Sequence, residues 1–357
     1  MITRDLLVLW FIKNYNDLVQ EMMKADHTVD PMQPNIWHAE GTVWTHTMMV
    51  MTWIEAQKDK LSVEDYTVLI TAAMLHDTGK PSCLETMPAS DTKPIRNSFK
   101  GHEGKSSFFS VGILKDLKVQ FPLTYTEEII EKIIKVVSLH GTHIEEKTEL
   151  KDLKLIFREA DKKGAVRSSD DGLFAQYESR KFCKKGPERF KSTLTILCGL
   201  PNSGKSTLRE KMLEDNPKAT VLSRDDLLET FYVSKFNEVQ TYNNMYRVLH
   251  EDKELLKEFE AEFEKLIQDT AKIDVDVIID MTMLSLSSRR KMISKFPNHK
   301  KMCKVIMTDN NTLFDRNIKR YQETKKFIST TVIENMMTSF TYPVTEEGFE
   351  KINLIIS

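Results

Sequence analysis

Residues 194–207 read LTILCGLPNSGKST, an apolar run that ends at a glycine and continues with small, polar and basic residues. The segment meets the pattern G-x-x-x-x-G-K-[ST], with Gly199, Gly204, Lys205 and Ser206 at the defining positions. Glycines let the backbone turn and point N–H groups at phosphate oxygens, the lysine reaches the β- and γ-phosphates, and the serine hydroxyl ligates Mg²⁺. The stretch therefore predicts a strand, a phosphate loop and a helix that bind ATP or another nucleoside triphosphate with Mg²⁺.

The segments on either side of this loop support its interpretation as a nucleotide-binding site. An apolar strand before the loop and helix formers after it argue against a chance match in a surface loop. The residues expected to contact the nucleotide or its Mg²⁺ are Gly199, Asn202, Ser203, Gly204, Lys205, Ser206 and Thr207.

The chain after residue 193 alternates predicted strands and helices. Short apolar runs at 219–223, 275–280 and 304–308 predict strands, and the charged segments 237–272 and 285–296 predict helices. In segment 237–272 the expected buried stripe is Leu255, Leu256, Phe259, Phe263, Leu266 and Ile267. Alternation of this kind predicts an α/β domain with a parallel sheet, whose ligands bind at the carboxyl ends of the strands.

Two carboxylates follow predicted strands at that edge. Asp225 comes directly after 219–223, where a carboxylate can take the proton of an attacking hydroxyl. Its alternative role is a helix N-cap, and the pair Asp225-Asp226 allows both roles at once. Asp280 ends the next strand and either orients Mg²⁺ or the acceptor end, or is an ordinary residue at a strand end.

Two arginines are predicted to share one face of a late helix. Arg316 and Arg320 are four residues apart, which places their guanidinium groups on the same side. In a phosphate-transferring domain such a helix forms a lid, where arginine spreads the charge of the transition state. The alternative is a solvated helix face.

Composition limits the class of protein. The chain has 357 residues, enough for about two domains of roughly 150 residues. Its four cysteines form no C-x-x-C pair, which predicts a reducing, cytoplasmic location and no disulfide framework. The sequence shows no recognisable signal peptide or membrane span. A net charge of −2 argues against a protein that coats nucleic acid, though not against one that binds a strand end.

The first half shows helical spacing, with apolar residues recurring every three or four positions. Ser62-Val-Glu-Asp65 resembles a capping box and predicts a helix start. No convincing strand alternation is present, so we expect an all-α domain over residues 1–183. A charged segment containing Gly186-Pro187 predicts a linker at 184–192, followed by the second domain at 193–357.

Histidines and aspartates recur at the ends of these predicted helices and in the loop before residue 103. Taken singly, each histidine is more often a surface or core residue than a metal ligand. Together, imidazole nitrogens and carboxylate oxygens suit transition-metal ions, which turn a bound water into a nucleophile near neutral pH. The candidate ligands are His46, His76, Asp77, His102, His140 and Asp161.

The set His46, His76-Asp77 and Asp161 resembles the HD phosphohydrolase superfamily, whose pattern is H…HD…D. The resemblance covers about residues 35–170 and implies that these four residues bind a metal such as Mn²⁺, Co²⁺, Ni²⁺ or Zn²⁺. It further implies that His102 and His140 complete a second metal site, with Asp77 bridging the two. Lys80 and Arg96 are then phosphate contacts, the first by charge and the second by its fork geometry. We interpret His38 and His143 as flanking residues.

The second half resembles the phage-type 5′-hydroxyl polynucleotide kinase family. The resemblance rests on GLPNSGKST at 199–207, SRDD at 223–226, VIIDMTML at 277–284, Arg289-Arg290 and the Arg316/Arg320 pair. It implies that Asp225 is the general base and that Arg316 and Arg320 are lid residues over the phosphates. Two positions depart from the family pattern, with Leu228 in place of an arginine and Met283 in place of an asparagine. Both departures affect the expected contacts to the acceptor.

The order of the two domains is similar to the bacterial HD-type end-healing polynucleotide kinases. That resemblance implies an enzyme that removes a 2′,3′-cyclic, 2′- or 3′-phosphate from an RNA or DNA strand end and transfers the γ-phosphate of ATP to a 5′-hydroxyl. Its products are suited to a polynucleotide ligase, and no membrane partner is expected.

Two other interpretations remain open at this point. One joins an HD nucleotide phosphohydrolase to a small-molecule, nucleoside-type kinase, since the HD pattern serves mononucleotides as readily as strand ends. The other is a non-catalytic binding module gated by nucleoside triphosphate, in which the HD ligands only hold the fold together. An intact Asp225 argues against the last.

Overall fold

The computed structural model describes residues 2–30, 32, 35, 37–90, 95–141, 150–166 and 190–357. It divides into two compact units, Met1–Arg180 with Met337–Tyr342, and Lys181–Met336 with Pro343–Ser357. Of the predicted linker 184–192, only the last three positions are described.

The first unit is built almost entirely from helices, as the spacing predicts. Its helices are α1 (Arg4–Asn14), α2 (Asn16–Lys24), α3 (Val43–Glu55), α4 (Val63–Leu75), α5 (His102–Gln120), α6 (Glu127–Leu139) and α7 (Lys151–Gly164). Helix α4 lies at the centre and packs against α3, α5, α6 and α7. Every residue from 66 to 75 is buried, since neighbours surround this helix on all sides.

Side-chain caps define where these helices begin. The Ser62 hydroxyl oxygen accepts from the backbone N–H of Asp65 and starts α4, which confirms the predicted capping position. Thr42 caps α3 and Thr126 caps α6 in the same way. The caps fix the helix starts, and therefore the rotation at which His46 and the residues after α4 and α6 meet.

Two short strands in this unit were not expected from the sequence. Strands β1 (Glu85–Met87) and β2 (Arg96–Ser98) pair antiparallel. Three residues are too few to show the alternation by which a strand is recognised. The expectation of a strand-free first half is therefore wrong at this ribbon.

The second unit is a parallel sheet with helices, and it confirms the predicted α/β class. Its strands are β3 (Thr193–Gly199), β4 (Thr220–Ser223), β5 (Val277–Asp280), β6 (Lys300–Met307) and β7 (Lys351–Ile356). They lie in the order β4-β5-β3-β6-β7, and every pair is parallel. The apolar strand β3 lies in the middle, so its carboxyl end opens at the centre of the sheet edge.

The helices after this strand are α8 (Lys205–Asp215), α9 (Arg224–Phe236), α10 (Tyr242–Glu251), α11 (Lys253–Thr270), α12 (Leu286–Lys295), α13 (Asn310–Thr324) and α14 (Thr330–Thr338). The prediction of one helix over 237–272 is wrong. Asp252 has an extended backbone, ends α10 and caps α11 by accepting from the N–H groups of Glu254 and Leu255. A carboxylate that satisfies two free N–H groups makes a helix start there more stable than a continuous helix.

The predicted buried stripe of this segment is correct at three of its six positions, and Leu255 and Leu256 are only partly buried. Phe259, Phe263 and Ile267 are buried, whereas Leu266 is 39% exposed. Among the residues that the structure describes, no helix is both long and apolar enough to cross a bilayer.

Candidate functional site

Helices α3 to α7 bring six metal-competent side chains of the first unit together. His46 lies within α3, His76 caps the end of α4 and is followed by Asp77, and His140 caps the end of α6. Asp161 lies in the last turns of α7. His102 is the first residue of α5, so its predicted position in a loop is wrong.

The six side chains form two groups in which the ligand atoms lie within 4.8 Å of one another. The first group is His46, His76 and Asp161, and the second is Asp77, His102 and His140. His46 Nε2 lies 2.9 Å from Asp161 Oδ1, and His102 Nε2 lies 3.1 Å from His140 Nε2. Each group therefore has the donor types and the spacing that a transition-metal ion requires.

Asp77 lies between the two groups. Its Oδ2 atom is 3.1 Å from His76 Nε2, and its Oδ1 atom is 3.3 Å from His102 Nε2. One carboxylate thus presents one oxygen to each group. This is the arrangement that a bridging ligand needs.

Backbone carbonyls fix the orientation of three imidazole rings. The Nδ1 atoms of His76, His102 and His140 lie 2.8, 2.8 and 2.6 Å from the carbonyl oxygens of the residues three positions earlier in the chain. With Nδ1 engaged as a donor, Nε2 of each ring is left to face the interior of the site as a ligand.

Electrostatics at this cluster match a site for cations. Burial acts to raise the pKa of Asp77, but His76, Lys80 and His102 outweigh it and hold that pKa well below its usual range. Within the described ranges, His76 Nε2 and both Asp77 carboxylate oxygens are buried without a well-aligned hydrogen bond. Buried polar atoms of this kind carry a free-energy cost unless a ligand satisfies them, and divalent cations would do so. The residues present therefore fit a pair of divalent metal ions.

Three further residues lie beside the first group, and no motif in the sequence marks two of them, His27 and Glu40. Glu40 Oε1 lies 2.8 Å from His46 Nδ1 and 2.7 Å from His38 Nδ1, and its side chain is buried. His27 stacks on His38 with ring centroids 4.4 Å apart. The interpretation of His38 as a mere flanking residue is therefore incomplete, because it belongs to a cluster with His27 and Glu40.

Two basic residues were expected to contact phosphate. The Lys80 ammonium lies 2.8 Å from Asp77 Oδ2 and 3.1 Å from His27 Nε2, which anchors it within the cluster. Arg96 lies in β2, with its guanidinium carbon 5.9 Å from the centroid of the Trp37 ring. His143 lies outside the described residues.

The phosphate loop of the second unit connects β3 to α8. Gly204 has φ +98°, a conformation that only glycine adopts readily, and it starts α8. A side chain at Gly199 would come within 2.7 Å of the Ile306 carbonyl oxygen and the Ser203 hydroxyl. Both glycines are therefore required by the turn. Ser203 is fully buried, its backbone N–H donates to the Leu200 carbonyl oxygen at 3.2 Å, and its contact to a nucleotide stays a prediction.

Lys205 and Ser206 occupy the first turn of α8. The Lys205 ammonium donates to the carbonyl oxygens of Gly199 and Leu200, at 3.0 and 2.6 Å. Burial lowers the pKa of Lys205 to about 8, against the opposing charge of Asp280. Ser206 Oγ lies 3.5 Å from Asp280 Oδ2, which places a hydroxyl and a carboxylate together as Mg²⁺ ligands would be.

The predicted lid arginines lie over the phosphate loop. Arg316 donates to the Asn202 carbonyl oxygen at 3.3 Å, and Arg320 donates to the Asn202 side-chain oxygen at 3.1 Å. The predicted base, Asp225, is held from two sides, by the Tyr242 hydroxyl at 2.7 Å and the Lys326 ammonium at 2.5 Å. Sequence reasoning missed both partners.

An open cleft of about 1870 Å³ contains all of these groups. Its lining includes the phosphate loop, Asp225, Asp280, Arg320 and Lys326. This volume exceeds the range of about 300–1,000 Å³ that single small ligands occupy. There is room for a nucleoside triphosphate and a second reactant.

The two positions that depart from the kinase family pattern, Leu228 and Met283, are both buried. Leu228 is buried in an apolar cluster with Phe231 and Phe259, where a charged side chain would be costly. Met283 has a left-handed backbone, with φ 44°. Arg289 is buried and forms an ion pair with Glu347 at 2.7 Å, so it stabilises the fold and is not available to the cleft.

Comparison with known families also gives two segments, which follow the two units except that the second match includes residues 337–342 of the first unit. Residues 43–165 match the HD domain, and residues 194–343 match an AAA domain. These segments contain the two metal groups and the phosphate loop, respectively.

Several solved structures are similar to part of the chain. A chain of the Pnkp1/Rnl/Hen1 RNA repair complex is 26% identical, with a TM-score of 0.34, over 44% of this chain and 46% of that one. The PezAT toxin–antitoxin system of Streptococcus pneumoniae is 16% identical, with a TM-score of 0.32, over 50% and 70%. A gluconokinase from Sinorhizobium meliloti is 16% identical, with a TM-score of 0.29, over 47% and 84%.

The family matches account for both halves of the molecule. The helical unit has the ligand clusters of a metal-dependent phosphohydrolase, and the sheet unit has the loop of a P-loop kinase. The chain therefore carries an HD domain followed by a P-loop kinase domain, which is the domain pair of the HD-type end-healing polynucleotide kinases that the sequence resembles.

Proposed function

We propose that this protein is a bifunctional enzyme that repairs broken RNA or DNA ends. The HD domain would remove a 2′,3′-cyclic, 2′- or 3′-phosphate from one strand end, and the kinase domain would phosphorylate a 5′-hydroxyl. The single observation that carries the proposal is the presence, in one chain, of two clustered metal-ligand groups and a phosphate loop facing a carboxylate. We assign residues 1–183 to the first activity, 184–192 to a linker and 193–357 to the second.

In the HD domain, His46, His76, Asp77 and Asp161 would hold one cation, and Asp77, His102 and His140 a second. Bound divalent cations at such a site lower the pKa of a coordinated water and polarise a phosphate ester. Asp77 would tie the two positions together through its two oxygens. Lys80 is anchored beside Asp77, where its positive charge would attract the phosphate. Arg96 is a further candidate phosphate contact.

In the kinase domain, the oxygen of the 5′-hydroxyl would attack the γ-phosphorus of ATP. The bond from that phosphorus to the bridging oxygen would break, ADP would leave, and the hydroxyl proton would pass to Asp225. Lys205, Arg316 and Arg320 would neutralise the phosphate oxygens. Ser206, with Asp280 near it, would hold Mg²⁺.

The products explain why a ligase is the expected partner. A strand end without its 3′-phosphate and a second end with a 5′-phosphate are the two ends that a polynucleotide ligase joins.

A reducing cytoplasm is the location that we propose. It suits the described cysteines Cys83, Cys198 and Cys303, none of which forms a disulfide.

Separate variants of the two sites test this function. Asp77→Ala removes the carboxylate shared by both metal groups, so we expect dephosphorylation of a 2′,3′-cyclic phosphate end to fall at least a hundredfold while 5′-phosphorylation persists. Lys205→Ala removes the phosphate-binding ammonium and should have the opposite effect. Both reactions are measured on labelled oligonucleotides by gel electrophoresis.

Lys218→Ala serves as a control, since Lys218 is exposed and lies outside the cleft. The proposal is wrong if either activity survives both substitutions. A free nucleoside that outcompetes the oligonucleotide for phosphorylation would instead identify a small-molecule kinase.

A further inference from the structure

The Asp225 carboxylate is engaged through both of its oxygens by groups from two other elements. The Tyr242 hydroxyl, in the first turn of α10, donates to Oδ1 at 2.7 Å. The Lys326 ammonium, in the segment after α13, donates to Oδ2 at 2.5 Å. Neither residue lies in the phosphate loop, and their sequence positions gave no sign of this contact.

Burial distinguishes this contact from an ordinary surface ion pair. The Lys326 side chain is only 9% exposed, and its ammonium lies 3.2 Å from the centroid of the Tyr242 ring. A lysine held by a carboxylate and an aromatic face has few other conformations. The Asp225 side chain itself is 51% exposed, so the carboxylate is fixed from one side and open to the cleft on the other.

Hydrogen bonds hold the backbone around Lys326 in place. The Asn243 side chain in α10 donates to the Lys325 carbonyl oxygen at 3.2 Å. The Asn317 side chain in α13 donates to the Ile328 carbonyl oxygen at 2.7 Å. The backbone on both sides of Lys326 is therefore anchored to helices, so its ammonium has a defined position.

Asn317, which holds the backbone after Lys326, is also hydrogen-bonded to the phosphate loop. Asn202 in that loop donates from its side chain to Asn317 Oδ1 at 3.1 Å. Arg320 donates to the side-chain oxygen of Asn202. A continuous series of hydrogen bonds thus joins the nucleotide-binding loop to the segment that carries Lys326.

We propose that Lys326, together with Tyr242, is a positioning residue that sets the direction of the Asp225 carboxylate for proton acceptance in the kinase reaction. This inference rests on the proposed function of the second domain. Each carboxylate oxygen has two lone pairs, so each retains one after binding Tyr242 or Lys326. The acceptor hydroxyl would donate its proton to a free lone pair on the open side.

The charged groups around Asp225 determine the pKa of its carboxyl. Burial acts to raise the pKa of the Asp225 carboxyl, but Lys326, Tyr242 and Arg320 outweigh it and hold the pKa below its ordinary value. Other charged groups near it in the cleft include Lys205, Asp226, Asp280 and Glu229, of which Glu229 acts on Lys326. Lys326 is the largest stabiliser of the ionised form, so its loss should raise the pKa of Asp225.

The test is the pH dependence of 5′-hydroxyl phosphorylation in Lys326→Met. A base acts when deprotonated, so activity falls as the pH drops below the pKa of its carboxyl. Because that pKa rises in the variant, the acid limb of the kcat profile should move to higher pH. Loss of orientation should also lower kcat roughly tenfold to a hundredfold. The KM for ATP should change little, which checks that the domain is folded.

Matched variants separate positioning from a general structural effect. Lys325→Met is the control, since Lys325 is exposed in the same segment and its ammonium lies over Tyr321 instead. Lys326→Arg retains the positive charge, so the acid limb of its kcat profile should return to the wild-type pH. Tyr242→Phe removes one hydrogen bond to Asp225 and should lower kcat.

Two outcomes would overturn the inference, and they are distinguishable. If the wild-type enzyme is active and Lys326→Met keeps both its kcat and its acid limb, the positioning role alone is refuted. If the wild-type enzyme phosphorylates no 5′-hydroxyl end, the proposed function fails, and the inference fails with it.

Discussion

Glu40 is a buried residue beside the candidate metal site, and its carboxylate contacts a predicted ligand. Its Oε1 atom lies close to both His46 and His38, and its Oε2 atom accepts from the backbone N–H of Val166 at 2.8 Å. Burial acts to raise the pKa of Glu40, yet the two imidazoles outweigh it and keep that pKa well below its usual range. A carboxylate behind a ligating imidazole orients the ring and increases its basicity.

The first prediction concerns this residue. Glu40→Gln keeps the shape of the side chain but removes the negative charge facing His46, so we expect divalent metal affinity to fall about 10- to 100-fold. Titration calorimetry with Mn²⁺ measures this directly, without relying on activity. Glu21→Gln, at an exposed ion pair with Lys24, is the control. An unchanged affinity in Glu40→Gln would show that the carboxylate does not support the site.

The ligands that a sequence reveals are those with a fixed pattern. His46, His76-Asp77 and Asp161 are recognisable because their order and residue types recur as a set. Lys326 and Asp225 are 101 positions apart, and Glu40 precedes the helix it supports. Contacts of that kind depend on how loops are anchored, which no local periodicity describes.

At the scale of elements, the geometry of the candidate metal site depends on how closely α3 and α7 approach each other. A methyl group at Gly164, the last residue of α7, would come within 2.5 Å of Val50 Cγ2 and 3.0 Å of the Val50 backbone nitrogen in α3. Val50 is one turn after His46, and Gly164 is one turn after Asp161. The absence of a side chain at residue 164 therefore lets two predicted ligands on different helices, His46 and Asp161, meet.

The second prediction follows from this contact. Gly164→Ala should destabilise the HD domain by about 1–3 kcal/mol, because Val50 has a branched, stiff side chain that cannot easily move away. The change appears as a lower urea midpoint and weaker Mn²⁺ binding. Lys163→Ala is the control, since its side chain is 59% exposed on the same helix. Equal midpoints for both variants would contradict the close-packing argument.

Periodicity predicted the long amphipathic elements and failed at short or interrupted ones. The spacing of apolar residues indicated a helical first domain, the Ser62–Asp65 pattern indicated the start of α4, and the alternation of strands and helices indicated the parallel sheet. The three-residue strands β1 and β2 were missed because they are too short to show a period. The break at Asp252 was missed because the residues on both sides favour a helix.

At the scale of the whole molecule, the central claim is that two opposite phosphoryl reactions share one chain. The order of an HD domain and a P-loop kinase domain was predicted from the sequence because each has a compact, specific motif. The exact division at 184–192 stays a prediction, since that segment is mostly outside the described residues. The two proposed reactions require different cofactors, a divalent metal in the first domain and ATP with Mg²⁺ in the second. Each reaction can therefore be measured without the other.

The most direct measurement uses one oligonucleotide with a 5′-hydroxyl and a 2′,3′-cyclic phosphate, incubated with wild-type protein and analysed by mass spectrometry at both ends. We predict that Mn²⁺ without ATP changes only the cyclic phosphate end, and that metal-stripped protein given Mg²⁺ and ATP changes mainly the 5′ end. With both cofactor sets, both ends should be processed. If neither end changes under any of these conditions, or if the two ends cannot be processed independently, the account of two separate phosphoryl sites is contradicted.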